Sequence, residues 1–185
     1  CLVGSEMCIR DKVRTVLVPL CEKLYEAQRK RLGVDTLMFY DEKRVFPDGN
    51  AVPAGDDDFM VDQARKMYHE LSPETGEFID FMIDHELMDL KNKPGKASTG
   101  YMTSLDRYKA PFVFSCFNQT IFDMQVLSHE LGHAFAGYMA MRSQPIAAYY
   151  SESTDIAEIH SMAMEQFAYC LLYTSPSPRD TERSR

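Results

Sequence analysis

No stretch of the 185 residues is apolar for long enough to span a bilayer, and no internal repeat or low-complexity segment is evident. Positive charge is in deficit: 20 Lys and Arg face 28 Asp and Glu, giving a net charge of −8. That balance argues against nucleic acid and anionic membranes as partners and fits a soluble protein. Cysteine is sparse, with 5 scattered residues and no paired spacing of the kind that builds a disulfide framework or a thiolate zinc site. Histidine is equally scarce at 5, yet two of those residues stand four apart in the run SHELGHA at 128–134.

His129-Glu130-x-x-His133 places both imidazoles on one helical face a turn apart, where they can share a metal ion while Glu130 faces a water bound to it. This is the pattern of a zinc peptidase. The surrounding stretch contains no proline and carries Ile121, Met124, Leu127, Leu131, Phe135 and Met139 at helical spacing, with Thr120 as the expected N-cap and Asp123 at N3. A catalytic zinc needs three protein ligands and an open position. Glu158 is the expected third ligand, on a second helix capped by Thr154 with Asp155 in its first turn and joined to the first through a turn at Gln144 and Pro145. Glu165, two turns further along the same face, is a candidate to hold a ligand imidazole; a solvated carboxylate is the alternative.

Several separated blocks then carry a family resemblance. GKASTGYMT at 95–103, APFVFSCFN at 110–118, the SHELGHA helix and DIAEIHSMAME at 155–165 resemble, in order, the oligoendopeptidase F branch of the thimet-oligopeptidase-like metallopeptidases. Tyr40-Asp41, FPDGN at 46–50 and LSPETGEF at 71–78 are similar to the same branch. The resemblance covers residues 12–169 and implies His129, His133 and Glu158 as zinc ligands, one zinc per chain, and Glu130 as general base. It implies a mainly α, zincin-like catalytic domain fragment, helices with a short β-strand or hairpin edge beside the active-site helix. The implied substrate is an oligopeptide. Gln119 departs from the pattern, because a small residue, often Gly, is expected after Phe117-Asn118.

The two ends read differently. CLVGSEMCIRD at 1–11 and the segment opening CLLYTSPSPRD at 170–185 resemble peptides translated from sequencing-adapter DNA, and the family-like pattern stops at about Tyr169. We therefore expect 12–169 to be a partial catalytic domain and both ends to be non-native. Only Cys21 and Cys116 then remain, which fits a reducing, cytoplasmic setting.

The rest of the chain reads as mainly helical. A first helix is expected over 16–32, kinked or started at Pro19 and stopped by Gly33. A second is expected over 56–71. A third opens at Ser72-Pro73 and carries Phe78, Phe81, Met82, Leu87 and Leu90. Residues 91–109 lose helical periodicity, and 112–117 has the β-branched and aromatic character of a strand beside the metal helix. The free edge of such a strand would bind an extended peptide, with Gly100 and Tyr101 on it if the resemblance holds; a loop covering the core is the alternative. His69 and His85 are expected at the surface, and His160 in a partly buried structural role.

These residues imply hydrolysis of a peptide bond by zinc-activated water with Glu130 moving the proton. In the resembled family a downstream His/Tyr set assists the oxyanion and further helices close the bowl, so this segment alone is expected to hold the metal site and lack efficient catalysis. Two other readings stand beside the endopeptidase: a zinc metallocarboxypeptidase with the same ligand pattern, and a non-enzymatic helical binding module.

Overall fold

The computed structural model describes residues 2–151 and 153–174, and the chain divides into two compact units at residue 51. From residue 175 on, the C-terminal segment expected to be non-native lies outside the described residues. In the first unit, helix α1 (Leu2–Lys12) passes through a π-helical turn at Val13–Leu17 into α2 (Val18–Leu32). The helical path thus begins well before residue 16, where the sequence suggested a start. The reason for the π turn lies at Pro19, which has no N–H to give and whose ring crowds the carbonyl four residues back. Widening the turn accommodates it: the Val18 N–H bonds the Val13 carbonyl, five residues back. Gly33 ends α2 in the left-handed region at φ 70°, as a C-terminal stop requires. The Gln28 amide reaches the carbonyls of Asp41, Glu42 and Arg44 at 2.7–3.1 Å and so folds the following loop on α2.

The second unit opens with an antiparallel helix pair. Asp56 caps α3 (Asp57–Leu71) by accepting the Phe59 N–H at 3.0 Å. Ser72 caps α4 (Pro73–Asp84), with proline at the first helical position, where no N–H is needed. This third helix is shorter than the periodicity suggested. Chain direction changes at Glu86, which adopts φ 51°, so Leu87 and Leu90 enter the core from an extended segment rather than from α4.

A three-stranded sheet follows, in the order β1-β3-β2, with β1 (Met88–Asp89) parallel and β2 (Tyr101–Leu105) antiparallel to β3 (Ala110–Phe114). The segment whose composition marks it as a strand is therefore the central one and has no free edge. Its partner β2 is the edge, in a region the sequence marked only by its loss of helical period. Val113, Ser115 and Phe117 bond the carbonyls of Leu87, Asp89 and Leu90, each at 3.0 Å, which continues the pairing past the end of β3. Helices α5 (Ile121–Ser143) and α6 (Thr154–Thr174) complete the unit. Ser153, not Thr154, takes the cap position of α6, since its carbonyl accepts the N–H groups of Ile156 and Ala157.

One core joins these elements: Met60, Ala64 and Tyr68 of α3, Phe78, Ile79 and Met82 of α4, Val113 of β3, and Leu127, Leu131, Ala134 and Tyr138 of α5. Phe78 meets Phe135 and Tyr138 edge to face at 5.3 and 5.4 Å, which locks α5 against α4. The mainly helical fold with a small β edge beside the motif-bearing helix agrees with expectation.

A buried ammonium secures the loop before the edge strand. The Lys96 side chain is only 1% exposed. It donates to Asp89 Oδ1, Asp89 O and Lys91 O, each at 2.9 Å, and lies 4.6 Å from the Phe114 ring centre. The hydrogen bond from Lys96 holds the Asp89 carboxyl below its ordinary pKa. Replacing Asp89 by Asn should lower unfolding free energy by about 1–3 kcal/mol at neutral pH. Because the folded pKa is depressed, this contribution is complete above the ordinary carboxylate pKa of about 3.9 and is lost as pH falls through the folded value. Urea unfolding of both proteins across pH should show the two stabilities converging on the acid side.

Candidate metal centre

Helix α5 starts where the local chemistry allows. Thr120 is extended, and the Asp123 carboxylate, 5% exposed, accepts the N–H groups of Thr120 at 2.9 Å and Asn118 at 3.0 Å. Between them Gln119 is left-handed at φ 61°, the backbone state that makes a small residue the expected occupant. Its side chain bonds Asp57 instead.

From that start, Leu127, Leu131, Ala134 and Tyr138 turn into the core while His129 and His133 turn towards α6. His129 Nε2 and His133 Nε2 stand 3.2 Å apart. Glu158 reaches them from α6, with Oε2 3.3 Å from His129 Nε2 and Oε1 3.7 Å from His133 Nε2. The three residues form a potential metal-holding group with one donor atom each. Ligands about 2.0–2.2 Å from a tetrahedral zinc lie about 3.3–3.6 Å from one another; one donor atom from each of the three residues lies within 4.8 Å of the others, so the donor set is compatible with such an ion.

The tautomer fits as well. Glu165 Oε1 lies 2.7 Å from His129 Nδ1, and its other oxygen accepts from Gln125 Nε2 at 3.0 Å. With Nδ1–H given to a carboxylate, His129 keeps a lone pair on Nε2, the atom that faces His133 and Glu158. Glu130 lies beside the cluster and is 7% exposed. Burial raises its carboxyl pKa; the nearby His129 opposes the shift and Glu158 adds to it.

The Gly100 backbone runs against Glu130: a β-carbon there would stand 3.1 Å from Oε1 and 3.0 Å from Val126 Cγ1. Tyr101 opens β2, half-exposed, with its ring stacked on Phe114 at 5.0 Å. His69 and His85 are exposed, as expected; His69 lies 3.0 Å from Asp80. His160 is exposed rather than partly buried, because a position two residues from Glu158 falls on the side of α6 away from the core.

Two contributors escaped sequence reasoning. Ser161 is fully buried, and its hydroxyl meets Glu158 Oε2 at 2.9 Å; its position three residues after Glu158 was the available signal. Gly132 inside the motif is the other. A β-carbon on it would fall 2.7 Å from Ser161 Cα and 3.0 Å from the His160 carbonyl oxygen, so its hydrogen is what lets α6 close on α5.

The sequence profile of peptidase family M3 matches residues 62–182. The chain belongs to that family. Among solved structures similar to this M3 chain is PZ peptidase A with an inhibitor, 51% identical over 84% of the chain with a TM-score of 0.81. An oligoendopeptidase F solved at 3.1 Å is 52% identical over 85%, and one from Bacillus anthracis 47% identical over 84%, both with TM-scores of 0.81. The chain spans 28% of the length of each of these structures. No curated protein sequence matches it significantly. Among the described residues no helix is long and apolar enough to cross a membrane.

Replacing Gly132 by Ala tests the helix contact. Ala is the better helix former by about 1 kcal/mol, so an uncrowded site would gain stability. Here the clash is with backbone, and overpacking of this kind costs about 1–3 kcal/mol. Chemical denaturation should show a net loss, and metal affinity should fall with it.

Proposed function

We propose that this chain is the metal-bearing part of a zinc-dependent endopeptidase that hydrolyses oligopeptides. The observation that supports this most is the convergence of His129, His133 and Glu158 at ligand spacing beside the buried Glu130. In this reading His129 and His133 give Nε2 and Glu158 a carboxylate oxygen to one zinc per chain, while Glu165 and Gln125 hold the His129 ring in its ligand tautomer. Bound zinc supplies Lewis acidity to the attacking water and the scissile carbonyl.

Glu130 moves the proton. Its carboxylate takes one from the attacking water and returns it to the leaving amine, a role suited to a carboxyl whose burial raises its proton affinity. Along β2, whose outer edge pairs with no other strand among the described residues, an extended peptide would add by backbone hydrogen bonds. Gly100 would bring that backbone close to Glu130, since no side chain intervenes. Tyr101 would supply a ring held by stacking on Phe114.

Residues 12–169 are, on this reading, part of a longer catalytic domain. The 28% coverage of the related structures supports it, as do Ile156, Ile159, Met162 and Phe167, apolar side chains of α6 that stand about half exposed or more. Cys21 and Cys116 are free thiols, which supports a cytoplasmic location.

In the full-length enzyme carrying this segment, Glu130→Gln should keep zinc and lose at least about a hundredfold in kcat, the scale of a general-base contribution. Glu158→Ala should instead release zinc at concentrations that saturate the parent. Cleavage of an internally quenched peptide blocked at both ends, read with metal content, checks both. Substantial turnover by the Gln variant would refute the base assignment. Failure to cut any blocked peptide would favour an exopeptidase.

A further inference from the structure

We propose that Ser161 is a positioning residue that holds the Glu158 carboxylate in the rotamer a metal ion needs. The inference rests on the metal-centre reading above. Glu158 needs such help. Its side chain is 44% exposed and can turn about several single bonds, whereas the imidazoles it must meet are only 26% and 15% exposed and seated on a packed helix. Left to solvent, such a carboxylate would spend its time in many rotamers, and a metal would have to order it on binding.

Ser161 supplies the missing constraint from below. It is 0% exposed, three residues along the same helix, and its hydroxyl stands 2.9 Å from Glu158 Oε2 and 3.1 Å from the Glu158 carbonyl oxygen. A serine in mid-helix often turns its hydroxyl back to a carbonyl of the preceding turn, and the second distance records that option. The single hydroxyl proton favours the carboxylate, which is nearer and carries charge. The Cα that carries the hydroxyl is fixed, because the Ser161 backbone is the point at which α6 abuts Gly132 of α5. Helix approach and ligand orientation are thus set at one residue.

The test is zinc affinity of the 185-residue chain, measured by competition with a chromogenic chelator, for the parent, Ser161→Ala, Glu158→Ala and the double variant. Loss of an outer partner of a metal ligand typically weakens affinity about 10- to 100-fold. We expect that loss in Ser161→Ala with one zinc per chain retained and the helical circular dichroism unchanged. In the Glu158→Ala background the same change should have no further effect, because Ser161 acts through Glu158. Ser161→Gly, which also removes the hydroxyl and adds no group that could itself bind zinc, should also bind zinc more weakly than the parent, and it carries the test if the alanine variant does not fold. Parent-like affinity in either folded Ser161 variant overturns the positioning role, as does an equal loss in the Glu158→Ala background, which would mark a general packing effect. A folded parent chain that takes up no zinc would instead overturn the metal-centre reading itself.

Discussion

The contact between α5 and α6 at Gly132 is the constraint on which the rest of the site depends. Two donors sit on one helix and the third on the other, so the separation of the helix axes decides whether a metal-sized space exists between them. With a β-carbon excluded by Ser161 Cα at 2.7 Å, the helices stand as close as backbone permits. Glu158 then reaches both imidazoles within 3.7 Å. The opposite face of α5 fixes the other half of the geometry, because Leu127, Leu131, Ala134 and Tyr138 are committed to the core and cannot rotate away without emptying it.

Much of this was legible in the sequence because helical spacing is a strong and local signal. The i, i+4 histidines, the apolar positions between them and the Thr120 start describe α5 without reference to anything distant, and the need for a third donor pointed to Glu158 on the next helix, in agreement with the family resemblance. Legibility failed where the deciding interaction was between elements. Gly132 reads as an ordinary residue of the motif until α6 is placed against it, and Ser161 reads as a helix interior serine until Glu158 has a direction. The end of α4 was misjudged for a related reason: Leu87 and Leu90 continue the apolar count, yet a left-handed Glu86 turns the chain before them. Burial identified these two residues as core, and their spacing suggested the wrong element.

The sheet illustrates the same limit. Strand β3 is apolar enough to announce itself, being packed in the centre, whereas β2 is half-exposed and carries a mixed sequence, as edge strands do. What places β2 is its antiparallel register with β3, Tyr101 opposite Phe114 through Leu105 opposite Ala110. Phe114 in turn carries Tyr101 stacked on its ring and the buried Lys96 ammonium near it. A charged residue at such a depth is a poor guess from composition, and it is tolerated because three acceptors and an aromatic ring meet it.

The most direct measurement of the central claim is the zinc X-ray absorption spectrum of the metal-loaded chain. The account predicts one zinc per chain, surrounded by two imidazole nitrogens and carboxylate or water oxygen at about 2.0–2.2 Å, with no sulfur. A sulfur shell near about 2.3 Å, or a single imidazole, would contradict the assignment of His129, His133 and Glu158 as the ligands.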